Sequence, residues 1–211
     1  MMKKLLLGLL AMGYLAGMPA HAQSVMAPGA LAKSVTDEVV AILRADKDIH
    51  SGNQNKVIDL IESKVLPHFN FVRMTRLALG KNWRQASPEQ QKVLVEQFRV
   101  LLVRTYAAAF TAYRNQTIDY KPVRMQPNDD EVVVKSLINQ PSGQPVAIDY
   151  SMEKTDRGWK VYDVAIEGIS LVQNYRSTFA SEVQKGGIEG LIKSLGEKNR
   201  QLAQQAQVTN K

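Results

Sequence analysis

The chain predicts an α+β fold in which a curved, four-stranded antiparallel meander is covered by helices, and three observations carry that reading. First, apolar and polar residues alternate strictly from Val146 to Glu153, with Val146, Ile148, Tyr150 and Met152 on one face. Period two marks a half-buried strand. Second, Asp156-Arg157-Gly158 leads into Trp159 to Ile166, rich in aromatic and β-branched residues, which makes a returning strand and so a hairpin. Third, apolar stripes at helical spacing lie before and after the strands, the order of an α+β chain.

The loop sets the register expected for this hairpin. A three-residue connection with Gly158 in the left-handed position is a favoured closure. It places Met152 opposite Tyr162, Tyr150 opposite Val164 and Ile148 opposite Ile166. A four-residue loop would set Tyr150 against Asp163 and spoil the apolar face, because a one-residue slip turns one strand's side chains across the sheet. The expected product is a broad apolar face bearing two tyrosines, with Asp149 and Asp163 turned away.

Met1 to Ala22 has the three parts of a secretory signal: basic Lys3 and Lys4, an apolar run from Leu5 to Met18, and Ala20-His21-Ala22 as a small-x-small cleavage site. The run is short for a membrane span. Residues 1–22 are therefore read as a cleaved signal and 23–200 as one exported domain. Without Lys3 and Lys4 the chain's 27 basic residues become 25 against 20 acidic ones, a net of about +5. The basic residues are spread out, and no compact Lys/Arg block with interleaved aromatics points to nucleic acid. There is no cysteine, so disulfides contribute nothing even in an oxidising compartment. The length suffices for one sizeable core.

Helices are expected from Ala27 to Ala45, with Pro28 in the first turn and Leu31, Val35, Val39, Ile42 and Leu43 as the stripe, and from Asn55 to Val65, ended by Pro67. Phe69 to Trp83 interleaves aromatics and aliphatics with Arg73, Arg76 and Lys81, and Arg84 follows. One or two short amphipathic helices fit that pattern, and arginine forks there suit phosphate oxygens or a docking partner. Ser87-Pro88-Glu89-Gln90 starts the longest helix: Ser87 caps, Pro88 stands where its missing N–H is harmless, and Gln90 reaches back to the cap. Leu94, Phe98, Leu101, Leu102, Tyr106, Ala109, Phe110 and Tyr113 form one stripe. Carried to Arg114, that helix spans about 40 Å. Ala107-Ala108-Ala109 marks either a close crossing or room for a ligand chain.

Thr117 to Arg124 and Glu131 to Asn139 complete the four strands, joined by turn-forming Gln126-Pro127-Asn128-Asp129-Asp130. After the hairpin, Ser170 caps a helix bearing Leu171, Val172, Tyr175 and Phe179. Gly186-Gly187 interrupts it, and Ile188, Leu191, Ile192 and Leu195 form a last stripe. Residues 201–211 are polar and expected to fray.

Catalytic signatures are missing. His50 and His68 have no partner at metal-ligand spacing, and there is no GxGxxG, P-loop or GxSxG stretch. Asp129, Asp130 and Glu131 sit in a turn and read as solvated. A cavity enzyme would need a carboxylate or histidine facing inward to move protons, and the register above supplies none from the hairpin.

Trp159 through Leu171, with Tyr175-Arg176 and Phe179 behind it, resembles the toluene-tolerance (MlaC-type) family of periplasmic phospholipid carriers. Leu79-Gly80-Lys81-Asn82-Trp83-Arg84-Gln85-Ala86-Ser87-Pro88-Glu89-Gln90 agrees, as do Tyr106-Ala107-Ala108-Ala109-Phe110 running on to Tyr113 and Gln116-Thr117, and Gly186-Gly187-Ile188-Glu189-Gly190-Leu191. The resemblance implies a nuclear transport factor-like cone with acyl chains between sheet and helices. It implies a monomeric periplasmic protein with phospholipid as cargo and no cofactor. Its implied partners are an outer-membrane lipoprotein/porin complex and the lipid-binding ring domain of an inner-membrane ABC transporter, which would hydrolyse the ATP.

The physics suits that role. At about 0.8 kcal/mol per methylene, two acyl chains of roughly thirty methylenes represent more than about 20 kcal/mol of gross exposure cost in water. The expected slot is walled by Val146, Ile148, Tyr150, Tyr162, Val164 and Ile166 from the hairpin and by Leu102, Tyr106 and Phe110 from the long helix. Arg73, Arg76, Arg84, Lys135 and Lys160 are candidates for headgroup or partner docking. Two other readings remain open at this point: a cavity enzyme of isomerase or hydratase type acting on an apolar substrate, and an envelope chaperone or adaptor binding through Phe69 to Trp83.

Overall fold

The computed structural model describes residues 26–113 and 115–209. The signal expected over 1–22 lies outside the described residues. Helix α1 (Pro28–Ala45) begins with its proline in the first turn, as expected. A short α2 (Lys47–His50) follows, which periodicity could not reveal; Asp46 caps it, accepting from the backbone N–H of Asp48 at 2.9 Å and Ile49 at 3.2 Å. Helix α3 (Gln54–Leu60) passes into a π-helical turn (Ile61–Val65) and a 3₁₀ turn (Leu66–His68). Pro67 explains the change, since its ring clashes with the carbonyl four residues back and its nitrogen has no hydrogen to donate.

Helix α4 (Phe71–Leu79), capped by Asn70, ends at Gly80 and a 3₁₀ turn. Helix α5 (Pro88–Thr111) carries the full capping box: Gln90 N–H donates to Ser87 Oγ at 3.2 Å and Ser87 N–H to Gln90 Oε1 at 2.7 Å.

The sheet is a meander of β1 (Thr117–Tyr120), β2 (Glu131–Asn139), β3 (Val146–Thr155), β4 (Gly158–Ile166) and β5 (Ile169–Ser170), in that spatial order and antiparallel throughout. Three expectations for the sheet need correction. β1 stops before Pro122 instead of running to Arg124, because proline gives the ladder no N–H. There are five strands, not four. Glu167 (φ 51°) and Gly168 (φ 79°) both take left-handed backbone, the conformation of a tight two-residue hairpin turn, which folds Ile169–Ser170 back onto β4. Two residues are too few for an alternation to show.

The third correction concerns the hairpin. Ile148 faces Ile166 and Tyr150 faces Val164 as expected, but Met152 faces Val161, not Tyr162, because the register shifts between Ser151 and Met152. Tyr162 is the extra residue of a bulge, and it leaves the apolar face.

Helix α6 (Leu171–Thr209) starts at Ser170, whose Oγ accepts from Gln173 N–H at 3.0 Å, and bends at Gly187 (φ 67°). It continues through residues 201–209, where fraying was expected; Leu202 holds that end by packing on the core. That core lies among α4, α5 and α6, around Leu94, Phe98, Phe179 and Leu191. Smaller clusters join α1, α3 and α5, and the hairpin end of the sheet.

Candidate functional site

Between the concave side of the sheet and helices α1, α4 and α5 lies a cavity of about 350 Å³. Each wall follows from a pattern already described. The stripe of α1 supplies Leu31, Val35, Val39 and Leu43; α5 supplies Leu102, Tyr106, Ala109 and Phe110; the sheet supplies Ile118, Ile138, Ile148, Tyr150, Met152, Val161, Val164 and Ile166. Phe69, Phe71 and Met74 come from the entry and first turns of α4.

Burial gives the cavity a direction. Met74 (1 % exposed), Met152 (1 %) and Val161 (5 %) are covered, whereas Ile148, Ile166, Tyr106 and Phe110 are half-buried and Ala109 is exposed. The pocket is therefore best covered around Met74, Met152 and Val161 and more open where Tyr106, Ala109 and Phe110 of α5 border it.

Of the nine residues expected to wall a lipid slot, Ile148, Tyr150, Val164, Ile166, Leu102, Tyr106 and Phe110 do line the cavity. Val146 and Tyr162 do not. Val146 begins β3, on the same face as Ile148 but beyond the lining, opposite Ile138. Tyr162 is turned out by the bulge, and Val161 takes its place. The phase break was visible in the sequence: Trp159 and Val161 keep one alternation, Tyr162, Val164 and Ile166 the other. Sequence reasoning assigned no cavity role to α1 or to His68, although the α1 stripe was recognised.

The lining is short of charge. Among the described residues no Asp, Glu, Lys or Arg lines it. Asp149 lies on the opposite face, 3.1 Å from Lys135 Nζ. Asp163 accepts from Val172 N–H at 3.1 Å and from the Ser170 hydroxyl, pinning the start of α6. The polar groups at the wall have partners. Thr36 and Tyr120 share a hydroxyl contact at 2.6 Å, and Tyr113 OH accepts from Arg44 at 3.0 Å while donating to the Gln116 carbonyl. Tyr150 is only half covered because one side borders the cavity, yet burial pushes its phenol well above the usual tyrosine range, with the Ser136 hydroxyl opposing. His68 is the one ionisable imidazole at the wall; burial first, then the charge of Lys160, holds it below the ordinary histidine value, against a smaller pull from Glu38.

The basic candidates divide. Arg73 is committed: its guanidinium donates to Glu153 at 2.6 Å and Glu131 at 2.5 Å and lies 3.6 Å from the centroid of the Tyr162 ring, whose hydroxyl donates to Glu131 at 2.9 Å. Glu153 also accepts from Asn70 at 2.7 Å. This network ties α4 to the closed end of the sheet, and the Arg73 hydrogen bond, then that of Tyr162, holds Glu131 below the usual carboxylate range. Lys160 donates to the Pro67 carbonyl at 2.5 Å and Lys135 pairs with Asp149. Arg76 and Arg84 meet on the far side of α4.

A cavity of this size has a stated use in other proteins. Ligand sites range over about 300–1,000 Å³, and a dry apolar cavity of about 150 Å³ already takes a benzene-sized guest. The chemistry of these walls fits hydrocarbon. Comparison with known proteins points the same way. The family model described as MlaC protein matches residues 33–197. The toluene tolerance protein Ttg2D of Pseudomonas putida is 26 % identical over 174 residues, covering 82 % of this chain and 80 % of the relative. The intermembrane phospholipid transport system binding protein MlaC of Haemophilus influenzae is 24 % identical over 168 residues, 78 % of each chain. A phospholipid-binding protein from Ralstonia solanacearum, solved in complex with a phospholipid, superposes with a TM-score of 0.79 at 45 % identity, over 83 % of this chain and 98 % of its own.

Proposed function

The chain belongs to the MlaC protein family, and from that premise we propose that it is a soluble periplasmic phospholipid carrier working between the outer membrane and an inner-membrane ABC transporter. The observation that carries the reading is the charge-free cavity open at one end. An acyl chain entering past Ile148, Ile166 and Phe110 escapes water at about 0.8 kcal/mol per methylene buried and supplies these walls with the contacts that water does not. The phosphate stays at the open end. Transport needs no catalytic group in this chain; any ATP hydrolysis belongs to the transporter.

The "intermembrane phospholipid transport" name of the Haemophilus relative and the signal pattern in residues 1–22 support the periplasmic placement. The outer-membrane lipoprotein/porin complex and the transporter's lipid-binding ring are the proposed partners, each met by a monomer of this chain.

The test is extraction of the purified protein with organic solvent followed by mass spectrometry. Phospholipid should be recovered from the wild type and lost from Ile148→Asp, which sets a carboxylate in the wall, while the variant is still exported. Retention of phospholipid by Ile148→Asp would place the ligand elsewhere. The cavity-enzyme reading has one observation in its favour, the inward-facing neutral His68. Against it, no Asp, Glu, Lys or Arg among the described residues lines the cavity with His68 to relay the proton.

A further inference from the structure

Arg76, Arg84 and Arg176 surround Gly80 and Trp83 and bound a second concavity of about 430 Å³, completed by Leu77. It shares no lining residue with the apolar cavity. The geometry of α4 explains the separation: Arg76 follows cavity-lining Met74 by two positions, about 200° around the helix, and so faces the other way. Arg84 comes from the 3₁₀ turn after α4, and Arg176 from the second turn of α6.

Two arginines elsewhere, Arg73 and Arg99, each hold two carboxylates. Here the described residues put no carboxylate within 4 Å of any of the three guanidinium groups, and none of the three makes a hydrogen bond within the protein. All three side chains are exposed, so water and salt weaken their mutual repulsion, but three like charges converging on one hollow still favour an anion among them. The C-terminal end of α4 beneath them contributes about half a negative charge, too little to balance three. Gly80 makes the arrangement possible. At φ 55° it takes a conformation that side chains disfavour, and a Cβ there would stand 3.3 Å from the Arg176 guanidinium. A side chain at this position would push Arg176 away from its neighbours.

We propose that this three-arginine pocket binds a phosphate oxyanion, at a site distinct from the apolar cavity. A guanidinium presents a planar fork of donors, and a carboxylate's two coplanar oxygens, with about four lone-pair sites, accept at most two such forks. A phosphate group offers enough oxygens, in a tetrahedral array, to accept from three forks at once. The phosphate can be free or can be the terminal phosphomonoester of an anionic lipid such as phosphatidic acid, either of which keeps at least three unesterified oxygens, and the two sources are separable.

The probe is the indole N–H resonance of Trp83, with that of Trp159, 5 % exposed in the hairpin cluster, as the internal control. Inorganic phosphate at low ionic strength should shift the Trp83 signal saturably and leave Trp159 in place. Arg84→Gln and Arg176→Gln should each weaken binding about tenfold, as expected for loss of a hydrogen bond to a charged group. Arg84→Lys, which keeps the charge but not the fork, should fall between. In the second arm, vesicles containing phosphatidic acid should sediment the wild type, and those of phosphatidylcholine alone should not. Loss of that sedimentation in Arg84→Gln/Arg176→Gln assigns the lipid headgroup as source; a phosphate response without sedimentation assigns the free anion. Absence of both responses in the wild type, or responses unchanged in the double variant, overturns the site. Lipid extracted from the double variant should equal that from the wild type, so failure here and failure of the carrier reading register in different measurements.

Discussion

The two halves of α5 read alike in sequence and do opposite things. In the N-terminal half Leu94 and Phe98 are 0 % exposed; Phe98 meets Phe179 and Tyr175 edge-on at 5.1 and 5.2 Å between ring centroids. In the C-terminal half Tyr106, Ala109 and Phe110 continue the same stripe but border the cavity. A helix answers those first residues, since α6 is convex and fills the space. The curved sheet answers the second set, and its concavity leaves room. Helical periodicity says that a face is covered; the shape of the opposing element decides whether it is also filled.

The largest effect should separate the halves directly. Phe98→Ala removes a ring with protein on all sides and should cost about 3–5 kcal/mol in urea unfolding. Phe110→Ala enlarges a space that already exists and should cost about 1 kcal/mol or less, since few contacts are lost, while lowering the phospholipid recovered on extraction. Equal destabilisation by the two would mean that the cavity half is as tightly filled as the core. Adding bulk gives the mirror image. Val172→Phe, at a position 1 % exposed beside the start of α6, should cost about 1–3 kcal/mol by overpacking. Val164→Phe enters the cavity and should leave stability nearly unchanged while excluding lipid. A Val164→Phe protein that still carried its full complement of lipid would break the comparison.

How far this contrast was legible depends on the residue. The capping box at Ser87, the strand phase of Ile148 and Tyr150, and the stripe of α5 all follow local rules, and the structure reproduces them. Ala107-Ala108-Ala109 left a choice between close crossing and ligand room. Both occur: Ala107 is 1 % exposed in the cluster with α1 and α3, and Ala109 lines the cavity. Tyr162 was misplaced because a hairpin register argued from the loop alone assumes an unbroken ladder, and one bulged residue transfers a side chain to the opposite face. Arg73 could not be distinguished from Arg76 or Arg84, because its partners Glu131 and Glu153 lie 58 and 80 residues away. The pairing of Arg176 with Gly80 is likewise a product of the fold.

The smallest effect tests the covered region around His68, next to the closed end of the cavity. Its folded-state pKa is depressed by burial and by Lys160, with Glu38 opposing, so the native state favours neutral imidazole. The unfolded chain, titrating near the ordinary value of about 6.5, then binds the proton first as pH falls. Stability rises with pH wherever the unfolded state holds more protons. The contribution of His68 is therefore fully present above about pH 7 and declines as pH falls through the unfolded value toward the lower folded one, where it levels off. Urea midpoints measured at close pH intervals across that window should decline in the wild type and stay flatter in His68→Gln. Glu96 and Glu131, both held below the usual carboxylate range by Arg99 and Arg73 respectively, lose their contributions only at more acidic pH, so the two declines are separable. Phospholipid in the cavity covers the imidazole further and should steepen the upper decline. If lipid-loaded and delipidated protein gave the same slope, with His68→Gln unchanged beside them, His68 would not face the space that the ligand fills.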